Sequence, residues 1–284
     1  MRHSKTEKRN PDVVDWTARY EKRGNLEFFA DALKALAAKG VGNGGVGVIG
    51  LLGQKDLPGV TLRMAQAVLR WDLRPSLWSH VFLIAAPARS RLGDTPVWEV
   101  TLHARDGEFP APELNGVGEA RLGHYDDAAI DANAALLAVG MSDQEARQVI
   151  DRARQPNVDR IRYDFWEMLG VWQAYLWARG QRPNPLEGGV PIPASSYVEM
   201  AYEAIGLDLT PAASERNSAP EHLWNGAIWW HDAYRELRHP VSGFYVHRNK
   251  QCYLQDAAPP ELPGHLDGRG ARRAPGAGRK RGGR

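Results

Sequence analysis

Four short segments carry the side chains with chemical potential, and they come in a fixed order. Trp78-Ser79-His80-Val81 opens the apolar run VFLIAA (81–86), which reads as a buried strand. Glu99 lies in VWEVTL (97–102). Its alternation puts Val97, Glu99 and Thr101 on one face and Trp98, Val100 and Leu102 on the other. Tyr163-Asp164 heads an aromatic-rich segment. Pro193-Ala194-Ser195-Ser196-Tyr197-Val198 leads into a helix that Gly206 stops. A histidine and a carboxylate on adjacent strands sit side by side when both face the same way. The carboxylate then fixes the imidazole tautomer and stabilises its protonated form. A residue at a helix N-terminus meets the positive end of the macrodipole, which lowers the pKa of a thiol. A cysteine at position 194, facing His80, would be an activated nucleophile. The chain has Ala194 there instead.

These residues need elements to hold them. A helix is predicted over 26–39, with Asn25 as its cap, and a second over about 61–73. Between them runs the Gly-rich stretch VGNGGVGVIGLLG (41–53), read as loop. Helices are also predicted over about 127–138, 142–154 and 161–178. Ser142/Glu145, Ser196/Glu199 and Ser218/Glu221 each have capping-box spacing, which opens helices to Arg154, Ile205 and Leu237. Residues 1–20 read as loosely ordered, and the Pro/Gly-rich chain from Ala257 as disordered.

Other motifs are weaker. Gly42, Gly44 and Gly47 spell G-x-G-x-x-G. A phosphate cradle needs that motif after a strand and before a helix. Here it follows a predicted helix, so it reads as a structural loop. His222, His231, His239 and His247 have no metal-ligand spacing, and local roles are expected of them. Trp166, Trp172, Trp177, Trp224, Trp229 and Trp230 read as core mass, with an aromatic groove lining as the alternative.

Composition limits the classes. The chain has 284 residues, enough for one sizeable core. A single cysteine, Cys252, leaves no intrachain disulfide framework and no zinc site built on two thiolates. No run of 18 apolar residues occurs, so no membrane span is expected. The N-terminus lacks the apolar region of a secretory signal, and a cytoplasmic location is expected. Seven of the basic side chains fall in residues 269–284, which contain no acid. Without those seven charges the net of +2 becomes −5. The body is therefore acidic, and the tail is a candidate contact for an anionic partner.

The order histidine, glutamate, nucleophile helix resembles the permuted NlpC/P60 papain-like hydrolases, in which the histidine strand precedes the cysteine helix. Ser79-His80-Val81 is similar to the family's strand start, Glu99 to its third member, and Tyr163-Asp164 to its Y-D segment. Ala194-Ser195-Ser196-Tyr197-Val198 resembles its C-S-x-(F/L)-V motif. Gly206-Leu207-Asp208-Leu209-Thr210-Pro211 and Ser218-Ala219-Pro220-Glu221-His222-Leu223-Trp224 resemble its downstream fragments. The likeness covers residues 57–230. It implies an α+β fold: a small, mainly antiparallel sheet packed on the nucleophile helix, with extra helices. The expected division is a helical, Gly-rich extension over 1–56, a hydrolase domain over 57–256 and a disordered basic tail over 257–284. It implies a peptidase, amidase or acyl-transfer scaffold acting on peptide, amide or acyl substrates, with no cofactor and no metal. In it, His80 is general base, Glu99 its orienter, and position 194 the nucleophile. Ala194 makes this chain inactive as a hydrolase, unless Ser195 substitutes. Ser195 is a poor geometric substitute, because one residue along a helix turns the side chain by about 100°. Ala194 is then either natural or an engineered exchange. The alternative is a non-catalytic peptide- or ligand-binding module that keeps the groove.

Overall fold

A computed structural model describes residues 12–86, 90–101, 116–158, 194–211, 213 and 218–248. The expected Tyr163-Asp164 head, the 161–178 helix, Cys252 and the tail lie outside them. Seven strands form one sheet: β1 (Val13–Asp15), β2 (Ile49–Gln54), β3 (His80–Ile84), β4 (Pro96–Thr101), β5 (Gly116–Arg121), β6 (Asp131–Val139) and β7 (Val241–His247). Their order is β1-β7-β6-β2-β3-β4-β5. Every pairing is antiparallel except β1 with β7. The sheet is thus mixed with helices, as the α+β expectation holds in its coarse form.

The helices are α1 (Thr17–Tyr20), α2 (Asn25–Ala38), α3 (Leu57–Ala65), α4 (Asp143–Val158), α5 (Ala194–Glu203), α6 (Pro220–Trp229) and α7 (His231–Glu236). They cover both faces of the sheet. On one face, Phe28, Phe29, Leu33 and Leu36 of α2 pack with Leu52, Phe82, Ile84, Val97 and Leu136. On the other, α4 and α5 pack together and α5 lies on β3 and β4. That core holds Val81, Leu83, Trp98, Val100, Val149, Ala153, Tyr197, Val198 and Ala201. Burial on both faces explains why VFLIAA is an unbroken apolar run.

Several elements depart from expectation. Residues 127–138, read as helix, are largely strand β6. Its Ala- and Leu-rich sequence has helix propensity, but β6 is buried along its whole length between β2 and β7. Small side chains suit a strand covered on both faces, and tertiary context overrides propensity. The stretch read as a Gly loop contains the central strand β2. A Cβ on Gly50 would lie 2.0 Å from the Phe82 ring, and one on Gly53 2.0 Å from the Leu77 carbonyl oxygen. These glycines admit close neighbours rather than mark a loop. The G-x-G-x-x-G residues sit before β2, with Gly42, Gly44 and Gly47 all at positive φ, so the motif makes a turn and opens no helix. Within the stretch expected as an N-terminal extension, β1 and β2 belong to the sheet and α2 to the core on one of its faces. Residues 13–20, read as loose, form β1 and α1.

Candidate functional site

His80 is the first residue of β3, and Glu99 lies in β4 beside it. The register pairs Phe82 with Glu99, so His80 and Glu99 leave the sheet on one face. His80 Nε2 lies 2.6 Å from Glu99 Oε2, and the two residues are only 5% and 3% exposed. An N–H on Nε2 donating to this carboxylate leaves Nδ1 with the lone pair, the atom able to take a proton. Nδ1 has no hydrogen-bond partner among the described residues. Ser79, just before His80, accepts a 3.0 Å bond from the Gln54 amide on its hydroxyl and donates its own amide to the Leu52 carbonyl at 2.7 Å. These bonds fix where β3 begins.

A third side chain completes the cluster. Tyr125 ends the 3-10 turn Leu122–Tyr125 after β5, and its hydroxyl donates to the same Glu99 oxygen. Its ring stacks on Phe82 with centroids 4.7 Å apart and lies 5.9 Å from the His80 ring. Sequence reading missed Tyr125, because nothing in its spacing from Glu99 signals the contact. The turn between them brings it back over β3 and β4. Two side chains thus converge on one buried carboxylate oxygen.

The nucleophile position is placed differently. Ala194 is the first residue of α5 and is buried in the core that includes Val81 and Leu83. His80 points to the opposite core, with Phe82 and Tyr125. The structure therefore brings His80 and Glu99 together and adds Tyr125. Ala194 sits on the helix that packs against the same two strands from the other face. The buried Ser195 hydroxyl donates to the Ser218 carbonyl, which ties the start of α5 to the entry of α6. Ser196 is buried with its hydroxyl unpartnered among the described residues.

Neither Ser196 nor Ser218 builds the expected capping box. Glu199 Oε1 instead accepts the amides of Leu209 at 2.8 Å and Thr210 at 3.3 Å. Burial, together with the neighbouring Asp208 carboxylate, pushes Glu199 up to about 8. Glu221 accepts from Ser76 Oγ at 2.6 Å and from Arg70 at 3.2 Å, while His222 Nδ1 accepts the Ala219 amide at 3.1 Å. Burial alone lowers His222 to about 4. The other late histidines are also engaged locally: His231 and His239 each lie 2.9 Å from a backbone carbonyl, and His247 lies 3.3 Å from Asp15. Among the described residues, no three His, Cys, Asp or Glu side chains gather as metal ligands. No helix among them is long and apolar enough to cross a membrane.

Chemically, the carboxylate can fix the imidazole in one tautomer. A histidine so held has the geometry of a base with its orienter, and no thiol joins it among the described residues. No protein-family model, curated protein or solved structure matches this chain.

Proposed function

We propose that the chain is a permuted NlpC/P60-type, papain-like scaffold of the peptidase, amidase or acyl-transfer kind, unable to hydrolyse because Ala194 stands at the nucleophile position. The observation that carries this reading is the buried His80–Glu99 pair on adjacent strands, at 2.6 Å. His80 Nδ1, which has no hydrogen-bond partner among the described residues, supports it. In a competent form, a thiol at 194 would attack the substrate carbonyl, His80 would take and return the proton, and Glu99 would hold the ring. Amides at the start of α5 would stabilise the oxyanion. For this to work, the start of α5 must reach Nδ1 around the beginning of β3, where His80 is the first strand residue.

A second reading rests on one observation. His80 and Ala194 belong to cores on opposite faces of the sheet, which favours a binding module whose histidine pair is structural. One experiment separates the two. In A194C, introduced into the C252S background, the new thiol is expected to react with iodoacetamide faster than Cys252 does in the unmodified chain. Its rate should be retained below the usual thiol pKa and lost in H80A. If it labels no faster than Cys252, the hydrolase-scaffold reading falls and the binding module stands.

A further inference from the structure

Core mass was expected of Trp224, Trp229 and Trp230, but only Trp224 is buried. Its ring packs on Trp78 and on Tyr245, each with centroids 5.0 Å apart. Trp229 is 69%, Trp230 43% and Trp71 89% exposed. These three rings line an open groove of about 550 Å³, together with Leu69 and Ile228. The segment that carries Trp71 continues the apolar exposure. Leu57, Met64 and Val68 recur at helical spacing along α3 and the 3-10 turn that prolongs it, all about half exposed or more.

The polar groups of the groove are already committed. Arg70 holds both Asp72 oxygens at 2.9 Å and reaches Glu221 at 3.2 Å. Ser76 holds the other Glu221 oxygen. Among the described residues that line the groove, the charged side chains are paired with one another, so what the surface offers is indole rings and aliphatic side chains. Exposed apolar groups in this number mark a contact surface. Tryptophan is the side chain that suits a boundary with one apolar and one wet side. The sequence supplies a second attraction in Arg269, Arg272, Arg273, Arg279, Lys280, Arg281 and Arg284, seven cations with no acid among them. A cluster of that size is attracted to anionic lipid, and stable peripheral binding takes two such signals together.

We propose that the Trp71–Trp229–Trp230 surface docks on the interface of a bilayer containing anionic lipid, with the basic tail as its electrostatic partner. The test is co-sedimentation of the full chain with phosphatidylcholine vesicles, with and without phosphatidylglycerol. Sedimentation with the anionic vesicles is expected, falling as salt rises, with a blue shift of tryptophan emission. The double variant W71A/W229A, both at exposed sites, should partition roughly tenfold more weakly. Exchange of the seven tail cations for glutamine should abolish the preference for anionic vesicles. Several outcomes overturn the proposal: no sedimentation with either vesicle, equal binding to both, or unchanged binding of W71A/W229A. So do a dimer that W71A/W229A dissolves, which makes a second copy the occupant, and tail-dependent binding of nucleic acid without binding of vesicles.

Discussion

At the residue scale, one carboxylate organises the candidate site. Glu99 Oε2 is approached by both His80 Nε2 and the Tyr125 hydroxyl, in a pocket almost closed to water. Hydrogen bonds to a charged group contribute more than neutral ones, about 1.5–3 kcal/mol each. Y125F keeps the ring stacked on Phe82 and removes only the hydroxyl. It should destabilise the fold by about 1.5–3 kcal/mol, read from urea denaturation. E99A removes the acceptor from both donors at once and should cost more than Y125F. In the double variant the two losses should fall short of additive, because they share one oxygen. Additive losses would mean that the Tyr125 hydroxyl does not meet Glu99. His80 and Glu99 were legible because a polar residue stood at the head of one apolar strand and within the alternation of the next. Tyr125 was not, since a contact made through a turn leaves no periodicity.

At the element scale, α5 is held by groups its sequence suggested for another purpose. Glu199 looked like the partner of a Ser196 cap, yet it reaches forward to the amides of Leu209 and Thr210. Its pKa, pushed up to about 8 by burial and by Asp208, exceeds the ordinary carboxylate value of 4.5. The folded state then binds more protons than the unfolded chain between those two values. The stabilisation from this group is fully present below about 4.5 and is lost as pH rises through about 8. E199Q keeps an oxygen for the two amides and cannot ionise. Its stability should decline less than that of the native chain between pH 5 and pH 8, approximately the window set by those pKa values. Parallel pH profiles from thermal melts would refute the assignment. Capping signals succeed where the two residues have no better partner. Ser142 and Glu145 do form a box, with the Ser142 amide donating to Glu145 at 2.7 Å and the Glu145 amide to Ser142 at 3.2 Å. Asn25, expected as a cap, instead donates to the carbonyls of Tyr125 and Asp131, and Asp126 accepts the Leu26 amide at the helix start. The strands that went unread, β2 and β6, are rich in Gly or Ala because other parts press against them. Local pattern records propensity, and in the middle of a sheet packing decides.

At the scale of the whole molecule, the chain cannot be cut where its composition changes. The Gly-rich stretch before residue 57 looks like a linker, but it contains the strand that joins β3 to β6. Leu51 and Leu52 of β2 point to opposite cores and are both fully buried. Removing residues 1–56 deletes that strand, its two ladders and the helix whose Phe28, Phe29 and Leu36 cover one face. Each buried side chain of this kind contributes about 1.5–3 kcal/mol, against a net stability of about 5–15 kcal/mol for a domain. The loss of five such residues alone, about 7.5–15 kcal/mol, is as large as that margin. A chain that begins at residue 57 should therefore show no cooperative unfolding transition and should aggregate. A chain that ends at Cys252 keeps the compact unit Met1–Cys252 and should melt like the full chain. Circular dichroism melts of both fragments decide the matter. A cooperative transition in the first fragment would restore the boundary that the sequence suggested, with His80 and Glu99 in a domain that needs nothing before it.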